Sequence, residues 1–193
     1  FIMHVSASTI HAGINSDTKV PVGDPGEARK RGAVAISCQI NLGSNNEGEM
    51  IRDAGLLTSA ALSHDMPVLG MIYPRGPGLI PIEGDKTNGV AHAARLAWEL
   101  GCHVAKVPWT GSADSFHDVC SSVPIPVLIA GGQPNTSFAQ TLEIVESAIS
   151  VGGAGVCMGR QIFGAHDRID RIRALRAIIH EGKTSNEAIQ MMG

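Results

Sequence analysis

Short apolar runs rich in β-branched residues return along the chain at 1–6, 33–40, 67–72, 103–108, 126–130 and 154–158, each followed by turn residues and a longer stretch of helical period. This alternation is the pattern of a parallel α/β fold, because a crossover must carry the chain back before the next parallel strand can begin. The spacing, roughly 25 to 35 residues, is that of successive βα units. Helices are predicted over 47–63, 88–100, 112–121 and 138–150, with Ser44 and Thr136 as candidate N-caps and Gly101 and Gly152-Gly153 as stops. Over 167–180, Ile169, Ile172, Leu175 and Ile179 recur at helical spacing and predict an amphipathic packing helix. No internal repeat or linker divides the chain, so a single domain over 1–193 is expected. Near-continuous apolar strands covered by helices fit an open doubly wound sheet or a closed (β/α)8 barrel. The chain opens on Phe1-Ile2-Met3-His4-Val5, as if entered in mid-strand, and its strands are two short of that barrel.

Composition removes several function classes. A net charge of −3 leaves no broad basic face for a nucleic acid backbone, and no run approaches the roughly 20 apolar residues of a membrane span. Cys38, Cys102, Cys120 and Cys157 form no CxxC pair and mostly sit in or beside apolar runs, which fits reduced, packed thiols and a cytoplasmic setting. No HExxH or GxxxxGK[ST] occurs and the histidines lack ligand spacing, so no metal or Walker-type nucleotide site is expected.

In either architecture the chemistry belongs where an apolar run meets its following loop. The fourth run, Val104-Ala105-Lys106-Val107-Pro108-Trp109, holds the one lysine that lies inside such a run. Enclosed on both faces, its ammonium would be penalised and its neutral amine available to form a Schiff base; at a strand edge its head would simply reach solvent. Tyr73, the single tyrosine, ends the third run beside Pro74, Arg75 and Gly76. Its phenol could move a proton, or it could fill the mouth of the core. Arg75 is a candidate anion ligand or a solvated side chain. The last two runs end in Ala130-Gly131-Gly132 and Gly159-Arg160. Adjacent glycine loops with an arginine can cradle a phosphate, although turn glycines and a surface arginine would read the same.

Together Met71-Ile72-Tyr73-Pro74-Arg75-Gly76, residues 104–111 (VAKVPWTG), Ala130-Gly131-Gly132 and residues 153–163 (GAGVCMGRQIF) resemble the archaeal-type class I aldolases of the DeoC/FbaB family. The likeness extends to His4-Val5-Ser6-Ala7-Ser8 and Ile40-Asn41-Leu42-Gly43. It implies a (β/α)8 TIM barrel whose first two βα units are absent from this chain. It implies Lys106 as the Schiff-base lysine, Tyr73 as acid/base, and Gly131, Gly132, Gly159 and Arg160 as phosphate ligands. Arg75 and Trp109 would line the substrate pocket, with Trp109 standing where the family carries a tyrosine. The implied activity is metal-independent and cofactor-free cleavage or formation of a carbon–carbon bond in a phosphorylated ketose. It leans to 2-amino-3,7-dideoxy-D-threo-hept-6-ulosonate synthesis, with fructose-bisphosphate aldolase as the alternative. The partners implied are a phosphorylated sugar and further copies of the chain in a homo-oligomer. The family's aspartate near the end of its first strand has no counterpart here, which keeps open a barrel that binds sugar phosphates without turnover.

Overall fold

The computed structural model describes residues 1–131 and 136–192. Its main sheet has six parallel strands, β1 (Ile2–His4), β4 (Ala35–Leu42), β5 (Val68–Pro74), β6 (Val104–Val107), β7 (Val127–Ala130) and β8 (Gly155–Cys157), hydrogen-bonded in that order. Neighbours in space are therefore neighbours along the chain, the order of an arc of a parallel βα barrel rather than of a doubly wound sheet, whose strand order reverses. Between β1 and β4 lie a small antiparallel pair, β2 (Ser6–Ala7) with β3 (Val20–Pro21), a 3-10 turn over Ile10–Asn15, and helix α1 (Pro25–Lys30). The turn, the hairpin and α1 have no counterpart in the sequence reading, because each is too short to show a period.

Helices α2 (Glu47–Leu62), α3 (Val90–Glu99), α4 (Ala113–Ser121) and α5 (Phe138–Ser150) follow β4 to β7 in turn. After β8 come α6 (Arg160–Phe163), α7 (Arg168–Glu181) and α8 (Ser185–Gln190). No described helix is long and apolar enough to cross a membrane. The register puts Ile36, Cys38 and Ile40 of β4 beside Val68, Gly70 and Ile72 of β5, with Ala105 and Val107, then Val127 and Ile129, continuing the same face. These side chains are buried beneath the helices. Each fully buried Ile or Val there contributes roughly 1.5–3 kcal/mol. Gly70 is glycine for want of room: a Cβ would lie 2.8 Å from Cys102 Sγ. Burial pushes the Cys38 and Cys102 thiols up to about 11 and about 12, as befits packed rather than reactive sulfur.

Several local expectations change. Gly101 does take the left-handed conformation that ends α3. However, α5 is capped by Ser137, in a capping box with Gln140, rather than by Thr136, and Asn46 rather than Ser44 sits at the N-cap of α2. In α7 the buried residues are Ala174, Leu175, Ala177 and Ile178, while Ile169 and Ile172 are 60% and 49% exposed. The helix packs against both α5 and α8, so its covered stripe is rotated toward two small alanines that carry no hydrophobic signal of their own.

The loops after β4 and β5 interlock. Arg75 and Gly76 N–H groups donate to the Leu42 carbonyl, and Gly78 N–H donates to that of Gly43. A Cβ on Gly76 would lie 2.0 Å from the Gly43 carbonyl carbon, so the two backbones touch where only glycine fits. Gly76→Ala is expected to lower stability by about 1–3 kcal/mol or more, measured by urea unfolding.

At the other end of the molecule, the Ser185 hydroxyl and N–H bind the Glu146 carboxylate and hold it below its ordinary value of 4.5. The lowered carboxyl contributes fully above that value and loses its contribution as the pH falls through the lowered one. An NMR titration should show the Ser185 amide moving with an inflection below 4.5, and no such inflection in Glu146→Gln.

Candidate active site

Side chains on the other face of the sheet alternate with the buried ones. Ser37, Leu69 and Val104 form one layer; Gln39, Met71, Lys106 and Leu128 form the next; Asn41 pairs with Tyr73 beyond them. Of these, Gln39, Tyr73 and Lys106 are half-buried and border a cavity of about 850 Å³ at the carboxyl end of the strands. Tyr73, Arg75, Lys106, Trp109, Gly131, Gly159 and Arg160 all line it, and motifs up to 87 residues apart in the chain thus meet in one place. Gly132 lies outside the described residues.

Lys106 is not enclosed on both faces. It points to the cavity side, half-buried, where its ammonium donates a weak hydrogen bond to Met71 Sδ at 3.5 Å and lies 5.9 Å from the centroid of the Tyr73 ring. Arg75 covers the same ring, with its guanidinium carbon 4.7 Å from the centroid. The ring thus has two cations near it on a wall open to the cavity, not in the closed core. Trp109 packs on Phe116 at 5.1 Å and forms an apolar wall beyond Lys106.

At the far side the loops after β7 and β8 approach closely. A Cβ on Gly131 would lie 2.8 Å from Met158 Cβ, so this glycine permits the contact. Gly159 precedes α6, and Arg160, the first residue of that helix, is exposed at the cavity rim. Behind them Thr141 Oγ1 donates to Gln161 Oε1 at 3.0 Å, and the Arg171 guanidinium donates to the Gln161 carbonyl at 2.8 Å, which ties the short helix to α5 and α7.

The sequence reading gave no site role to Gln39, Asn41, Cys157 or His4. Gln39 and Asn41 were marked only by being polar at alternate positions of an otherwise apolar strand, the period-two signature of a lined face. Cys157, read as a packed hydrophobe, is half-buried in the cavity wall instead, because its strand position alternates with the outward-facing Val156. His4 bonds Ser37 Oγ at 3.0 Å. Burial, with help from the Lys19 and Lys106 ammonium groups and against the Ser37 backbone, lowers its imidazole below the ordinary value. Lys19 is lowered too, by burial and by Arg75, with Asp17 opposing.

Known proteins resemble the chain in both sequence and fold. The family model described as DeoC/LacD family aldolase matches residues 1–165. The 2-amino-3,7-dideoxy-D-threo-hept-6-ulosonate synthase 1 of Archaeoglobus fulgidus is 36% identical over 192 residues, 100% of this chain and 70% of its own length. The 2-amino-4,5-dihydroxy-6-oxo-7-(phosphonooxy)heptanoate synthase of Streptomyces griseus is 35% identical over 188 residues, 97% of this chain and 67% of its own. Among solved structures, an archaeal fructose-1,6-bisphosphate aldolase with its catalytic lysine covalently bound to the carbinolamine intermediate superposes with a TM-score of 0.83. It is 28% identical, and the match covers 92% of this chain and 70% of that one. A parallel barrel arc, a lysine and a phenol facing one cavity, and a match over most of the sequence lead to one conclusion: the chain belongs to the DeoC/LacD family of aldolases.

Proposed function

We propose that this chain carries the Schiff-base centre of an aldolase acting on a phosphorylated ketose, of the kind that makes 2-amino-3,7-dideoxy-D-threo-hept-6-ulosonate. The observation that carries the reading is the pairing of Lys106 with Tyr73 on adjacent strands, 5.9 Å from amine to ring centroid and both open to one cavity.

As a free amine, Lys106 adds to the ketone carbonyl to give a carbinolamine, and loss of water leaves an iminium. Tyr73, as phenolate, removes the proton from the hydroxyl two carbons away. The carbon–carbon bond then breaks, with its electron pair taken up by the iminium to form an enamine, and the aldehyde fragment leaves. Protonation of the enamine carbon and hydrolysis return the lysine. Read in reverse, the enamine attacks an aldehyde and Tyr73 protonates the new alkoxide. The scheme draws on no metal or organic cofactor.

Gly131, Gly159 and Arg160 form the phosphate end of the site, where two neighbouring loops bring glycine backbone and a guanidinium to one end of the cavity, the residue types that hold a phosphate. Arg75 gives the opposite side positive charge suited to a second anionic group, and Trp109 supplies the apolar wall between. Fructose-bisphosphate cleavage is the second reading, favoured by the superposition on an archaeal fructose-1,6-bisphosphate aldolase.

Borohydride reduction in the presence of dihydroxyacetone phosphate, fructose 1,6-bisphosphate or the heptulosonate, followed by peptide mapping, tests the reading. A substrate-dependent adduct on Lys106, absent from Lys106→Ala, is expected, and the substrate that gives it separates the two activities. Sugar phosphate binding without any adduct would instead identify a binding barrel that does no chemistry. Tyr73→Phe should keep the adduct while carbon–carbon cleavage slows by about 10²- to 10⁴-fold, the usual contribution of a positioned acid/base group, as read by stopped turnover assays.

A further inference from the structure

Asn41 lies one layer above Gln39 on β4 and is the register partner of Tyr73 on β5. Its side chain is completely buried, at 0% exposure, and every polar atom is used. Oδ1 accepts from Gln39 Nε2 at 2.9 Å and from Arg75 Nε at 3.0 Å, while Nδ2 donates to the Asp17 carbonyl. Two donors converging on one atom and an acceptor facing the other leave the amide a single orientation. The carboxamide therefore joins three chain segments at this end of the barrel: its own strand, the connection that carries Asp17 and Lys19, and the loop after β5.

The consequence falls on Arg75. Its residue is exposed at the cavity rim, and a long side chain so placed would ordinarily sample many rotamers. The hydrogen bond to Asn41 fixes the guanidinium, and the fixed guanidinium covers the Tyr73 ring. The ring is thereby held against this cation, with the Lys106 ammonium 5.9 Å from its centroid. We propose that Asn41 is a positioning residue which, by anchoring Arg75 against the Tyr73 ring, sets the phenol in register with the Lys106 amine for the bond-breaking step. This rests on the aldolase reading above, and it assigns to a buried amide that touches no substrate a role in one step of that reaction and not in the other. The carbinolamine and iminium need Lys106 and the phosphate end of the cavity. Proton removal at cleavage needs the phenol within hydrogen-bonding reach of a hydroxyl, where small displacements are costly.

The test compares the full chain with Asn41→Leu, nearly the same volume without polar atoms, and Asn41→Asp, whose carboxylate still accepts from Gln39 and Arg75. Two quantities are read: the rate of borohydride-trapped adduct on Lys106, and kcat and KM for cleavage of the substrate that forms it. Asn41→Leu should trap the adduct at close to the unaltered rate while kcat falls about 10- to 100-fold with little change in KM. Asn41→Asp should recover most of the kcat. Should Asn41→Leu fail to fold, Arg75→Leu at the exposed end of the same contact should give the same fall in kcat with the adduct retained, whatever it does to KM. Unchanged kcat in either leucine variant overturns the proposal, as does a parallel loss of adduct and turnover in folded Asn41→Leu, which would mark a merely structural amide. An unaltered chain that forms no Lys106 adduct overturns the aldolase reading itself, and so the two failures are told apart.

Discussion

Successive side chains of a strand must face opposite ways, and in a parallel sheet covered by helices on one side this divides every strand into two populations with opposite demands. The outward set, Ile36, Cys38, Ile40, Val68, Ile72, Ala105, Val107, Val127 and Ile129, is dry and close-packed. The inward set holds Gln39, Asn41, Tyr73 and Lys106, polar groups that no helix could cover without leaving them unpaired. A shift of one residue in any strand would exchange its two sets, and in β6 it would put a lysine against α3. The register that buries the core is therefore the same register that assembles the cavity.

Within that frame, polar groups are placed by one another rather than by loops alone. Asn41 orients Arg75, Arg75 lies on Tyr73, and Tyr73 shares the wall with Lys106. Among the described residues no buried side-chain nitrogen or oxygen lacks a hydrogen-bond partner, although the inward face carries so many. Networks of this sort hold their members in one arrangement because every alternative leaves a buried group unsatisfied.

The strands and long helices were legible in the sequence because their periods are long enough to be counted, and Lys106 and Tyr73 stood out as rare residue types in apolar surroundings. What could not be read has physical causes. The buried stripe of α7 contains Ala174 and Ala177, which report no face of their own, while Ile169 and Ile172 advertise a face left largely in solvent. The 3-10 turn over Ile10–Asn15 closes on local hydrogen bonds, Ala12 to Thr9 and Ser16 to Gly13, and the two-residue strands β2 and β3 pair with each other, so each is too short to leave a period in the sequence. Asn41 is an ordinary polar residue two positions from Gln39 until β5 and the connection before β4 are laid beside it, and only then do Arg75 and Asp17 become its neighbours. Contacts between distant segments define the site, and a linear pattern records only the ends of such contacts.

The contact of Gly43 with Gly76 bears on how this architecture can vary. Because the loop after β5 rests its backbone on the loop after β4, with hydrogen bonds to Leu42 and Gly43, neither can lengthen by a residue without lifting the other. Barrel enzymes diversify by changing loops at this end of their strands, each loop more or less on its own. Here two of those loops form one mechanical unit, and diversification is left to the remaining walls: the approach after β1, the aromatic corner at Trp109 and the rim around Arg160.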